Sequence, residues 1–152
     1  MGLDRAVQGV LEQPLLYLSA FFERHRREYY RLLLAVSSGG AWTEWITFFL
    51  RGISEQARDT GLRIRALIEL RDKYRRSVSG ARNAGALQDA VDRLFVLPAV
   101  SVTSLAKRLN VSYPAAKSSL EKLAQAGIVW PTKQGRETWY FADEIIRTVE
   151  GP

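Results

Sequence analysis

VSVTSLAKRLNVSYPAAKSSLEKLAQAGIVWPTKQGRETWYF, residues 100–141, is the stretch that decides the fold. A short β-rich run, Val100-Ser101-Val102, leads into a small helix whose apolar face is Leu105, Ala106 and Leu109. Asn110 stands where the chain must turn, and Asn tolerates positive φ better than most residues. Val111 is expected to plug that turn. Ser112 is a good N-cap, and Pro114 falls in the first turn of the next helix, where a missing N–H costs nothing. Ala116, Leu120, Leu123 and Ala124 recur at helical spacing, and Gly127 ends that helix. Two β-rich runs, Ile128-Val129-Trp130 and Trp139-Tyr140-Phe141, then flank the polar loop 133–136, which predicts a hairpin. Helix, tight turn, helix, hairpin is the order of a winged helix-turn-helix. The alternative is a small α+β domain without a nucleic-acid role.

The flanks extend this domain. Leu87, Val91, Leu94 and Phe95 predict a first helix over residues 87–97, stopped by Pro98. Ile145, Ile146 and Val149 predict a closing helix over residues 142–149 that returns to the core. Upstream, the small, polar run from Ser79 to Gly85 reads as a linker. The expected organisation is a helical region, 1–80, a linker, 81–86, and a winged helix-turn-helix domain, 87–150. The expected class is mainly α with one long helix and a small β-hairpin.

Within residues 1–80, a helix is expected over residues 20–36, capped by Ser19 and ended by Ser37-Ser38-Gly39-Gly40. From Trp42 the apolar residues recur in steps of three and four through Trp45, Ile46, Phe49, Ile53, Ala57, Gly61, Ile64, Leu67, Leu70, Tyr74 and Val78. One helix over residues 41–79 follows, roughly 55–60 Å long at about 1.5 Å per residue. Gly52 and Gly61 are candidate bends, and two shorter helices broken near Gly61 are the alternative. A helix of that length cannot bury its whole stripe against one small domain.

Composition narrows the chemistry. The 152 residues contain no cysteine and one histidine, which leaves no thiol catalysis, no disulfide and no basis for a structural zinc site. No apolar run reaches the length of a membrane span, and the N-terminal sequence lacks the order of a signal peptide. A reducing cytoplasm is the expected compartment, with no membrane partner. Net charge is +6, with 14 basic and 9 acidic residues in 1–82 against 8 and 7 in 83–152. The domain carrying the helix-turn-helix is therefore nearly neutral, but polarised. Between Thr103 and Arg136 lie Lys107, Arg108, Lys117, Lys122, Lys133 and Arg136 against the single acid Glu121. A face of that kind suits phosphate contact.

The expected contacts to duplex DNA are Ser112, Tyr113, Ala115, Lys117 and Ser118 at the start of the second helix, with Lys122, Lys133, Gln134 and Arg136 on backbone phosphates. The run Arg71, Lys73, Arg75, Arg76 reads as a solvated face, with contact to a duplex as the alternative. His25, between Arg24 and Arg26, reads as a solvated helix residue. Asp89, Asp92, Asp143 and Glu144 read as exposed helix charges or caps. No catalytic residues and no metal ligands are assigned.

Residues 13–33, QPLLYLSAFFERHRREYYRLL, followed by Trp42-Thr43-Glu44-Trp45-Ile46 and Phe48-Phe49-Leu50, resemble the end of the catalytic domain of Fic family proteins. Long bacterial members of that family continue into a winged helix-turn-helix, as this chain does with LAKRLNVSYPAAKSSLEKLAQAGIV. The resemblance spans about Leu11 to Phe141. It implies a parent enzyme that transfers AMP from ATP to a protein hydroxyl, through a motif His-Pro-Phe-x-x-Gly-Asn-Gly-Arg whose His is the general base. That motif is absent here. His25 has neither the proline nor the glycine loop after it, and in the family's order the motif belongs upstream of Met1. The family's inhibitory pattern Ser/Thr-x-x-x-Glu-Gly/Asn is absent too, since Ile146 stands four residues before Glu150. The chain is thus expected to be a non-catalytic C-terminal region. ATP and magnesium are implied only for the missing catalytic part, and a protein substrate only through the parent. The alternative role is a protein-interaction or dimerisation module that regulates the enzyme without binding DNA. Without a catalytic core, Leu16, Phe21, Phe22, Trp42, Trp45 and Phe49 lose their neighbours, and a homodimer through these residues is expected.

Overall fold

The computed structural model describes residues 18–135 and 137–150. In order, these form α1 (Leu18–Arg24), α2 (Arg26–Gly39), α3 (Trp42–Ser77), α4 (Ala84–Val96), β1 (Ala99–Ser101), α5 (Val102–Leu109), α6 (Tyr113–Gln125), β2 (Trp130–Gln134), β3 (Glu137–Phe141) and α7 (Asp143–Glu150). The class is mainly α with one small antiparallel sheet, as the sequence predicts. The chain divides into two compact units, Met1–Leu62 and Arg63–Pro152, and the division falls inside α3 rather than at the expected linker. Among the described residues no helix is long and apolar enough to cross a membrane.

The first unit is held by aromatic packing. Phe21, Leu32 and Phe48 are buried together, with Phe22, Tyr29 and Trp45 packed against them. The Phe21 ring lies 5.1 Å from that of Phe48, and the Tyr29 ring 5.6 Å from that of Trp45. The single helix expected over residues 20–36 is two helices, broken at His25, whose φ of −108° and ψ of 29° are not helical. The break lets α1 and α2 present their aromatic faces to the same core. His25 is half-buried there, its ring 4.5 Å from Phe21, and is not the solvated residue expected. Ser19 lies within α1 and does not precede the helix. Arg51 bonds Glu28 at 2.6 Å while its guanidinium lies 5.3 Å from the Phe48 ring centre, joining α3 to α2.

α3 is one uninterrupted helix of 36 residues. Gly52 has a packing role in it: a Cβ there would stand 2.6 Å from the Phe21 ring, so the missing side chain lets that ring close on the helix. Gly61 meets nothing within 4 Å.

In the second unit, the last turns of α3 belong to the core. Leu70, Tyr74 and Val78 are buried with Leu87, Val91 and Leu94 of α4, Leu105 of α5, Leu120 and Leu123 of α6, and Ile145 of α7. Each fully buried Leu or Ile contributes about 1.5–3 kcal/mol by leaving water. The stretch expected as a linker is a tight turn, with Ala81 packed against this core and α4 already starting at Ala84. Tyr74 donates its hydroxyl proton to Glu144 Oε2 at 2.8 Å, and Lys73 donates to Glu144 Oε1 at 3.1 Å, fixing α3 to α7. Arg75 bonds Asp92 and donates to Gln88 at 3.2 Å, while Arg71 pairs with Asp92 at 3.8 Å, fixing α3 to α4. Arg71, Lys73 and Arg75 are thus engaged within the chain, and Asp92 and Glu144 are their partners rather than free surface charges.

The sheet order is β1-β3-β2. β3 is the centre, pairing Val100 with Tyr140 on one side and Thr132 with Trp139 on the other. Ile128 and Val129 are buried just before β2, so the hairpin begins two residues later than its β-rich run suggests. Ile145 is buried as expected, but Val149 is exposed at the far end of α7.

Two consequences follow for stability. Gly52→Ala forces a methyl into a fully buried ring, which costs about 1–3 kcal/mol and outweighs the roughly 1 kcal/mol gained in helix propensity. Gly61→Ala gains that propensity in open space, so thermal denaturation should show the two substitutions shifting Tm in opposite directions. The Tyr74 hydrogen bond, followed by Lys73, holds the Glu144 carboxyl below its usual range. A carboxyl depressed in the folded state stabilises above its unfolded pKa, about 4.3, and loses that contribution as pH falls through the folded value. Glu144→Gln should therefore be less stable than wild type in urea at pH 7, with the gap closing below about pH 4.

Candidate nucleic-acid interface

The turn between α5 and α6 is built by local chemistry. Ser101 caps α5 by accepting the Ser104 N–H, and α5 ends at Asn110, which is left-handed with φ 52° and ψ 47°. Asn110 is the only non-glycine residue with positive φ among those described. Ser112 Oγ accepts the Ala115 N–H at 3.4 Å, and Pro114 lies in the first turn of α6. At the other end of α6, Gly127 has φ 69°, its N–H donates to Ala124 O, and the Ile128 N–H donates to Leu123 O at 2.9 Å. That pair of bonds is a Schellman cap, and it turns the chain back so that Ile128 and Leu123 are both buried. Val111 does not plug the turn. It is exposed, and its N–H satisfies the Ala106 carbonyl at 3.0 Å.

α6 buries Ala116, Ser119, Leu120 and Leu123, and this leaves Tyr113, Ala115, Lys117, Glu121 and Lys122 exposed, with Ser118 half-buried. Of the expected DNA contacts, Ser112, Tyr113, Ala115 and Lys117 stand together at the uncovered start of α6. The Ser112 hydroxyl is occupied by its capping bond. Lys117 faces Glu121 one turn on at 3.8 Å, an exposed pair worth about 0–1 kcal/mol that a phosphate can displace. Lys122 is differently placed: its ammonium donates to Asn83 Oδ1 at 2.8 Å, which holds it toward the start of α4. Lys133 and Gln134 are exposed on β2, and Gln134 pairs in register with Glu137 across the hairpin. Gly135 takes the positive φ, 62°, that the hairpin turn needs. Arg136 and Leu16 lie outside the described residues.

Three further residues border this surface without being among the expected DNA contacts. Lys107 and Arg108 are exposed in the last turn of α5, and both belong to the basic bias of residues 103–136. Thr103, at the start of α5, donates to Glu137 Oε1 at 3.4 Å and ties that helix to the wing strand β3. Only the folded sheet brings those two together. Tyr140 is buried in β3, and its hydroxyl pKa is raised by burial first and then by the charges of Glu121 and Tyr113, both on α6. Of the expected self-association residues, Phe21 is fully buried in the first unit's core, because Gly52 admits its ring, so it is no surface residue. Phe22 and Trp45 are half-buried in the aromatic cluster, while Trp42 and Phe49 are exposed.

No protein-family model matches the chain. Among solved structures, it is similar to the crystal structure of the AntR antimony-specific transcriptional repressor, at 21% sequence identity and a TM-score of 0.34, over 56% of this chain and 72% of that one.

The left-handed turn gives a direct test. A side chain other than Asn or Gly at that φ costs roughly 1–2 kcal/mol. Asn110→Ala should lower stability by about 1 kcal/mol in chemical denaturation while Asn110→Gly leaves it within a few tenths.

Proposed function

We propose that the winged helix-turn-helix binds duplex DNA, with the first turns of α6 in the major groove and the wing strand on the backbone. The observation that carries this is the start of α6. Ser112, Tyr113, Ala115 and Lys117 are uncovered there, with exposed Lys107 and Arg108 on α5 and exposed Lys133 on β2. Tyr113 and Ala115 are the candidates for base-edge contact, and the lysines and arginine for phosphate. Because the domain as a whole is nearly neutral, the proposed affinity is modest and strongly salt-dependent.

The resemblance to Fic family proteins adds a parent to this proposal. In that reading the chain is the non-catalytic control region of an AMP-transferring enzyme in the cytoplasm, and ATP and magnesium belong to the parent's catalytic part. The His-Pro-Phe glycine-loop motif in the reading frame upstream of Met1 would support it, and a frame without that motif would remove it. A second reading, a protein-docking module without DNA affinity, is favoured by one observation. Trp130 is exposed at the start of β2, and the acid Glu137 stands opposite Gln134 in the same hairpin.

Fluorescence anisotropy on mixed-sequence duplexes separates the two. Binding at low salt that weakens as salt rises supports DNA reading, and no binding at low salt supports protein docking. Lys117→Glu with Lys133→Glu should weaken binding at least tenfold and flatten the slope of log K against log salt by about 1 per contact removed. Lys122→Glu should change it far less, because that ammonium is held on Asn83.

A further inference from the structure

We propose that the chain forms a two-fold homodimer in which α3 packs antiparallel against α3 of a second copy, centred between Phe49 and Leu50. The inference is independent of DNA binding. It starts from the first unit's share of α3, where Trp42, Ile46, Phe49, Leu50, Ile53 and Ala57 fall within an arc of about 100° at 100° per residue. α1 reaches only the Phe49 edge of this arc, where the Phe22 ring centre lies 6.3 Å from that of Phe49, and the rest stays open: Trp42 is 59% exposed, Ile46 50% and Leu50 57%. A contiguous apolar stripe over four helical turns marks an interaction surface.

Charge and size both fit a second copy of the chain. The charged residues of this part of α3 are Glu44, Arg51, Glu55, Arg58 and Asp59. All lie about 80° or more outside the arc. On that far side Arg51 bonds Glu28 at 2.6 Å and Asp59 pairs with Arg24 at 3.8 Å. The residues bordering the stripe include Thr43, Thr47, Ser54 and Gln56, all uncharged. A face without charge offers nothing to an acidic or basic partner, and it brings no like charges together when it meets its own copy. Sizes match as well. About a two-fold between residues 49 and 50, Trp42 faces Ala57, Ile46 faces Ile53, and Phe49 faces Leu50. The largest side chain of the stripe therefore meets the smallest, and every pairing is apolar. A two-fold contact uses the same patch on both copies, and this patch is complementary to itself in the antiparallel sense.

The test uses the full chain. Light scattering at tens of micromolar should give twice the chain mass. Ile46→Glu with Leu50→Glu should halve that mass with helical circular dichroism unchanged, because both side chains are exposed within one copy and Glu is a strong helix former. The chain has no cysteine, so disulfide trapping is clean. Ile46→Cys mixed with Ile53→Cys should cross-link readily, and either variant alone should not. A wild-type chain of single mass would overturn the proposal. So would a doubly charged variant that keeps the doubled mass, or a 46–46 cross-link preferred over 46–53.

Discussion

The second unit depends on how the end of α3 is captured. Tyr74 is buried in the core, and its hydroxyl donates to Glu144 on α7. That burial, with the hydrogen bond and the Glu144 charge, pushes the phenol pKa far above its ordinary value, so the hydroxyl stays a donor at any ordinary pH. Lys73 completes the contact on α7, and Arg71 and Arg75 make the equivalent contact to Asp92 on α4. These ion pairs are largely exposed and contribute little each. The apolar stripe Leu70, Tyr74, Val78 supplies the stability, and the charges set which way the helix faces. The usual winged-helix elements are thereby closed by the last turns of a helix that begins in the other unit.

Capture of α3 also constrains the candidate site. With α3 and α4 holding Leu87, Val91 and Leu94, α6 can bury only its Ala116–Leu120–Leu123 face. Its first turns stay open because the residues before it form a turn, not a covering helix. Asn110 and Ser112 enforce that turn, one by accepting a left-handed backbone and the other by capping α6. The exposed lysines are then sorted by what remains near them. Lys117 has only a weak i,i+4 partner, Lys133 lies open on the wing strand, and Lys122 is drawn to Asn83.

The first unit follows a different rule. Six aromatic or aliphatic side chains share one small core, and Gly52 makes room for the most buried of them, Phe21. Once that core is satisfied on one side of α3, the described residues of the unit leave Trp42, Ile46 and Leu50 of the neighbouring stripe open, and Phe22 meets only its Phe49 edge. The uncharged border of that stripe goes with the same division: Arg51 and Asp59 lie on the side where α2 and α1 supply Glu28 and Arg24.

The sequence alone determined the order of the elements from α3 onward, because local signals are enough there, while the break at His25 left no local mark. Asn110, Ser112, Pro114 and Gly127 dictate backbone geometry within a few residues, and each behaves as its side chain requires. The apolar period of α3 was equally legible, and so was the basic bias of residues 103–136. Only the tertiary structure decided which apolar residues are core. Phe21 and Phe22 look alike in sequence, yet only Phe21 is fully buried, because Gly52 lies opposite it on another helix. Val111 and Val149 read as core but are exposed, since their helical or turn positions end beyond the packed layers. The Arg71–Arg75 run read as a solvated face because its partners, Asp92 and Glu144, lie about 20 and 70 residues away. Long-range pairing also decided which of the basic residues around α6 remain open. Side-chain identity fixes local backbone preference, while partner choice depends on contacts that no local window contains.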